Sequence, residues 1–273
     1  IRLISFLNKK KKLISYATDK TKISLAKPIL DGNEFKYLNE CINTGWISST
    51  GKFVKIFEKK FSNFTKIKHC LAVSSGTTAL QLALKTLNIK YGDEVIVPNL
   101  TFASPVNAVI HSGAKPVFVD VNENTYCIDE TLIEKKITKK TKAILPVHFT
   151  GYMTDMPKLM KIANKYKLIV VEDACQSILG SINGKNAGTW SSAGAFSLHP
   201  LKNLNVWSDG GIIVTNNKRL YNKISLLRNH GLKTRDEVEI MGYNSRLDTF
   251  QAVVGNWLIP KTHSIANQRI KNA

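Results

Sequence analysis

Long apolar runs are missing from this chain. No stretch approaches the ~18 residues that a membrane-spanning helix needs, so no transmembrane segment and no membrane partner are expected. Cysteine is scarce. Cys41, Cys70, Cys127 and Cys175 are the only four, with neither CxxC spacing nor clustered histidines. That pattern argues against a disulfide framework and against a metal site, and it fits reduced thiols in a cytoplasm. Acids are also few, 20 against 39 lysines and arginines, and the formal net charge is +19. Such an excess raises the question of a nucleic-acid or anionic-membrane partner. No basic stripe with interleaved aromatics accompanies it, so the charge reads as a lysine-rich solvated surface with no nucleic-acid partner. Internal repeats and low-complexity linkers are absent after residue 22.

What is present is a globular composition, 43% hydrophobic and 22% charged over 273 residues. That length buries a sizeable core, more readily in one large domain than in two. Short β-branched or apolar runs at 70–73, 94–97, 116–119, 143–147, 168–171, 194–197 and 212–215 read as strands. Helical spacing appears at 34–44, at 53–64, from about Gly76, at 156–166 and at about 248–259, where Phe250, Val253, Val254 and Trp257 mark the buried face. The alternation predicts a mostly parallel sheet covered by helices.

The stretch from Leu168 to Gly211 organises the rest. It reads LIVVEDACQSILG, then a loop, then GAFSLHPLKNLNVWSDGG. Glu172 and Asp173 stand where the first strand ends, and in open α/β sheets ligands bind at the carboxyl ends of strands. The second strand ends in the Ser197 hydroxyl, and Lys202 follows five residues later. A carboxylate, a hydroxyl and a lysine on neighbouring loops suit pyridoxal 5'-phosphate, which needs a lysine amine for its aldehyde and an acid for its pyridine nitrogen. Earlier in the chain, Ser75, Gly76 and Thr77 open a helix, where free amides and the dipole favour a phosphate. Serine and threonine cap helices everywhere, so this signal gains weight only beside Asp173 and Lys202.

These blocks together resemble the DegT-type sugar-nucleotide aminotransferases, whose pattern runs roughly EDAAQ, then FSFYPTKNLGAYGDGG. The match extends from about Ile23 to Gln268, and several separate blocks fit in order. Ser208 departs from the family's usual glycine, and Cys175 replaces an alanine, reading as a small filler beside the site. The resemblance implies an α/β fold: the large domain of type I pyridoxal-phosphate transferases, a mostly parallel seven-stranded sheet with helices on both faces. Lys202 would carry the cofactor and Asp173 would pair with its ring nitrogen. Gln176 would lie near the ring hydroxyl. Gly76, Thr77 and Ser197 would hold the phosphate.

Phe102, in PNLTFASPVNAV, matches the aromatic that stacks on the pyridine ring; taken alone, it would be a core phenylalanine. His148, in PVHFTGYMTDM, suits either substrate contact or a hydrogen-bonded loop. The motif GYNSRLD at 242–248 implies that Asn244 reaches the phosphate of a partner subunit, hence a homodimer with shared sites. Arg246 is expected to form a structural ion pair. The loop GWISSTG, 45–51, resembles one near the family's active site and also reads as a plain helix connection.

The implied activity is transfer of the amino group of L-glutamate to a keto-sugar nucleotide, for amino-sugar and surface-polysaccharide synthesis in the cytoplasm. The GWISSTG loop is most similar to that of perosamine-synthase relatives. Family members with histidine in place of the lysine dehydrate their substrate, so Lys202 argues for transamination. A non-catalytic protein keeping the fold for binding or regulation is the alternative.

Three segments are expected: a basic extension at 1–22, a cofactor-binding domain at 23–260, and the start of a further region at 261–273. In 1–22, Lys9–Lys12 follow the apolar residues instead of preceding them, unlike a secretory signal. A disordered arm, a membrane-surface helix and non-native sequence all remain open there. Family members continue past 273 into a compact domain of on the order of 100 residues. On that basis the chain is expected to be a fragment, poorly soluble and weakly active or inactive.

Overall fold

The computed structural model describes residues 33–49 and 51–272. The readings made for 1–22, and the start of the resemblance at Ile23, lie outside the described residues.

Seven strands form the main sheet: β1 (His69–Val73), β2 (Glu94–Pro98), β3 (Lys115–Val119), β4 (Thr141–Ile144), β5 (Ile169–Asp173), β8 (Ala193–Ser197) and β9 (Gly211–Thr215). A small hairpin, β6 (Ser181–Ile182) and β7 (Lys185–Asn186), separates β5 from β8. The order across the sheet is β1-β9-β8-β5-β4-β2-β3. Strand β9 runs antiparallel to both neighbours, and every other pairing is parallel.

Alternation along the strands sends side chains to two apolar layers. In β1, Leu71 and Val73 join one cluster while Cys70 and Ala72 join another, and β9 splits Ile213 from Ile212 and Val214 in the same way. This is the period of two of a pleated strand. Helices α3 (Gly76–Thr86), α4 (Ala103–His111) and α7 (Lys218–Leu227) cover the first layer through Leu80, Leu84, Val109, Ile224 and Leu227. Helices α2 (Lys52–Thr65) and α8 (Thr249–Leu258) cover the second with Phe57, Phe61, Val254 and Leu258. A third cluster sets α6 (Met156–Tyr166) and the one-turn α5 (Glu130–Ile133) on β2, β4 and β5. Helix α1 (Glu34–Thr44) precedes α2, and α9 (Thr262–Asn272) closes the described chain. Among the described residues no helix is long and apolar enough to cross a membrane, and no group of three potential metal ligands occurs.

The expected strands and helices are present, and α4, α5, α7, α9 and the β6–β7 hairpin are additional. Two details differ. Of the four residues read as the buried face of α8, Val253 and Val254 are buried while Phe250 and Trp257 are only half-buried, because Trp257 lies at the edge, tilted against Tyr37 of α1. Glu172 and Asp173 do not follow β5; they are its last two residues. Consecutive strand residues face opposite ways, and that separates their roles.

Candidate functional site

The carboxyl ends of β5 and β8 lie side by side, with Asp173 in register with Ala195. A cavity of about 350 Å³ opens above them. Gly76, Thr77, Phe102, Asp173, Gln176, Ser197 and Lys202 all line it. They come from four separate parts of the chain.

The N-terminus of α3 forms one wall. Ser75 caps it: its hydroxyl accepts from the Thr78 N–H at 3.1 Å, and the Thr78 hydroxyl accepts from the Ser75 N–H at 3.1 Å. The first N–H groups of a helix have no intrahelical acceptor. The cap consumes that of Thr78 and leaves those of Gly76 and Thr77 toward the cavity, where the dipole favours an anion. The Thr77 hydroxyl is held by Ser104 at 2.7 Å. Glycine is required at 76 for space: a Cβ there would come within 2.9 Å of Cys175 Sγ and 3.1 Å of Ser197 Cβ. Gly211 matters similarly, since a Cβ on it would overlap the Ser75 carbonyl and displace the cap.

Asp173 is buried on the cavity floor, 5% exposed. Its Oδ1 accepts from the Cys175 N–H at 2.9 Å. Burial raises its pKa above the ordinary aspartate value, against the pull of Cys175, His148 and Lys202. An acid held this way gains from a nearby cation, and a protonated pyridine nitrogen is one. Gln176 accepts the Thr150 N–H on Oε1 at 2.9 Å, which leaves its amide nitrogen free to donate. Lys202 follows β8 in a turn closed by its N–H to the His199 carbonyl at 2.8 Å.

Phe102 is 69% exposed at the N-cap of α4, which excludes the core reading and puts its ring at the cavity mouth. A planar cofactor with an aldehyde, a ring nitrogen and a phosphate therefore meets a lysine, a buried acid, an aromatic and a helix N-terminus, and the residues fit it.

Asn244 does not join this cavity. It is exposed and bridged to Asn229 elsewhere on the surface. His148 is fully buried and does not line the cavity; its Nε2 lies 3.0 Å from Glu172 Oε2 and its Nδ1 accepts from the Thr154 N–H at 3.3 Å. It is the hydrogen-bonded histidine of the two readings. Arg246 forms no ion pair among the described residues. Its Nη1 donates instead to the Asn229 side chain at 3.0 Å. The GWISSTG loop is fastened to the N-terminus of α8: Ser48 accepts at its carbonyl from the Thr249 N–H and hydroxyl.

Sequence reasoning overlooked three polar side chains of the lining, Ser104, His199 and Asp209. Ser104 and His199 lie two residues from Phe102 and Ser197, a spacing that could have flagged them. It named Glu172 beside Asp173 but gave it no role; the side chain is fully buried and accepts five hydrogen bonds. Oε2 takes His148 Nε2 at 3.0 Å and the Gly188 N–H at 2.9 Å. Oε1 takes the Trp190 N–H at 2.8 Å, the Ser191 N–H at 3.0 Å and the Ser191 hydroxyl at 2.8 Å. Glu172 thus anchors the end of β5 from one side while Asp173 faces the cavity on the other.

Comparison with known proteins agrees with this geometry. Residues 28–273 match the model of the DegT/DnrJ/EryC1/StrS aminotransferase family, and the chain belongs to that family. It is 40% identical over 257 residues to the GDP-perosamine synthase of Caulobacter vibrioides, covering 93% of this chain and 69% of that protein. It is 44% identical over 200 residues to a UDP-N-acetyl-3-dehydro-alpha-D-glucosamine 3-aminotransferase of Acidithiobacillus ferrooxidans, covering 73% and 54%. Among solved structures, ntda from Bacillus subtilis, with its cofactor PMP bound, superimposes with a TM-score of 0.79 at 35% identity, covering 88% of this chain and 57% of that one. The chain thus spans between about half and about two thirds of the length of these relatives.

Proposed function

We propose that this chain forms the cofactor-binding part of a pyridoxal-phosphate-dependent aminotransferase that moves the amino group of L-glutamate to a keto-sugar nucleotide. The observation that carries the reading is the meeting of Asp173, Lys202 and the N-terminus of α3 around one cavity. When bound, the cofactor supplies an electrophilic aldehyde and a protonated ring that withdraws electrons from the bond being broken.

Asp173 would hold the proton on the ring nitrogen, since a buried carboxylate is least costly next to a cation. The amides of Gly76 and Thr77, with the Ser197 hydroxyl, would bind the phosphate. The Gln176 amide nitrogen would donate to the ring oxygen. Phe102 would cover the ring face and limit water. The Lys202 amine would hold the aldehyde carbon at rest. Once released, Nζ would take and return the proton at the donor Cα.

In finer detail, we read the acceptor as a GDP-linked 4-keto-6-deoxy sugar aminated at C4. The GWISSTG loop and the perosamine-synthase relative support that choice. The enzyme would act in the cytoplasm as a homodimer whose Asn244 completes the partner's phosphate site, with 23–260 as the cofactor-binding domain.

Purified chain with pyridoxal phosphate should gain the absorbance of a lysine-bound cofactor, and borohydride should fix the label on Lys202. Lys202→Ala should lose label and turnover together. A label on Lys185 or another lysine refutes the assignment. No bound cofactor at all would favour a non-catalytic protein of this fold. A panel of keto-sugar nucleotides with glutamate then tests the substrate: strong preference for a non-sugar ketone would overturn the class.

A further inference from the structure

A second cavity, about 720 Å³, adjoins the first and shares Cys175, Gln176, Ser197, Leu201 and Lys202 with it. A space of that size suits a small-molecule ligand. Its far wall is α9, which brings His263, Asn267 and Arg269 toward the Lys202 loop. Arg269 is half-buried and donates from Nη1 to the Leu201 carbonyl at 2.9 Å. That bond uses one of the five N–H donors of a guanidinium. Among the described residues no carboxylate pairs with Arg269, and burial lowers its pKa with no acid to offset it. A cation partly withdrawn from water without an anion carries a desolvation cost that a bound oxyanion would repay. Leu201 is also the residue next to Lys202, so one side chain ties the far wall to the backbone at the reacting lysine.

We propose that this second cavity is an oxyanion subsite for a co-substrate, with Arg269 as the guanidinium that grips a carboxylate or phosphate group. The ligand choice rests on the aminotransferase reading above, in which the amino donor carries carboxylates and the acceptor a diphosphate. Both have the planar or forked oxygens that a guanidinium binds in pairs.

The test measures equilibrium binding of 2-oxoglutarate, GDP and UDP by calorimetry to the whole chain and to Arg269→Ala and Arg269→Lys. Arg269→Ala should weaken at least one class about 10- to 100-fold, the worth of a charge-assisted bond. Arg269→Lys should recover only part, since it keeps the charge without the fork. A loss confined to 2-oxoglutarate assigns the carboxylate. A loss confined to the nucleotides assigns the diphosphate, and a loss of both assigns one shared site. Affinities indifferent to both substitutions, or no binding to the native chain, overturn the proposal. If the alanine variant fails to fold, phenylglyoxal labelling of the native chain decides: ligand must shield Arg269, and an unshielded Arg269 is equally fatal. None of these readouts needs turnover. Cofactor on Lys202 with no Arg269-dependent binding refutes the subsite alone, and Arg269-dependent binding in a chain that takes no cofactor refutes the aminotransferase reading alone.

Discussion

Replacing Glu172 by glutamine tests how the site is held. The carboxylate has two faces, one accepting from Trp190 and twice from Ser191, the other from His148 and Gly188. Glutamine keeps an acceptor for only one face. Its lowest-cost orientation turns the oxygen toward the three donors of Trp190 and Ser191, so its NH₂ meets the Gly188 N–H and His148 Nε2. The Gly188 amide then loses its acceptor. His148 can move its proton to Nδ1 only by abandoning the Thr154 N–H it now accepts. Either way at least two buried donors are stranded, at about 1–3 kcal/mol each. The expected loss is therefore about 3 kcal/mol. For a chain of this size that lowers the unfolding midpoint by roughly 6–10 °C. Thermal and urea unfolding of the cofactor-free chain at one pH measure it. A loss under about 1 kcal/mol would show that the loop carrying Gly188–Ser191 reorganises at little cost, and would refute the anchoring argument. Ser191→Ala, which removes one donor to the buried carboxylate, should cost about 1.5–3 kcal/mol.

Asp173→Asn should stabilise the cofactor-free chain at neutral pH while reducing cofactor affinity and turnover. Burial raises the folded pKa of Asp173 above its unfolded value of 3.8. The contribution favouring the fold is thus full below that value and is lost as pH rises through the folded pKa. A variant whose stability gain over the native chain does not grow across that window would count against it. Gly211→Ala should displace the Ser75 carbonyl and weaken phosphate binding more than it weakens the sheet, measured as inorganic-phosphate or cofactor affinity against urea stability. An unchanged affinity would mean that the cap yields elsewhere. Ser75→Ala should cost about 1 kcal/mol through the lost cap, checked by urea unfolding, and a value near zero would mean that water replaces the hydroxyl.

Much of the fold was legible because its signals are local. The β-branched runs at 94–97 and 212–215 became strands, and the periodic spacing at 34–44 and 156–166 became helices, since a pleated or helical backbone sorts side chains within a few residues. The candidate site was legible for a different reason. Gly76, Asp173 and Ser197 each sit at the carboxyl end of a strand or the start of a helix, and Lys202 in the turn that follows β8, where a parallel sheet collects its loops. What the amino-acid order alone could not decide was pairing across the chain. Glu172 and Asp173 are adjacent acids of similar chemistry, and β5 sends one to an internal knot and the other to the cavity. His148 had two open readings until the crossover from β4 brought it against Glu172. Phe102 was core or platform until α4 began beside it, and Arg246 met an amide where an acid was expected. Arg269 gained a meaning only when α9 packed against the Lys202 loop. Each of these depends on which distant backbone arrives within about 3 Å, the range of a hydrogen bond, and strand order and crossover set that arrival.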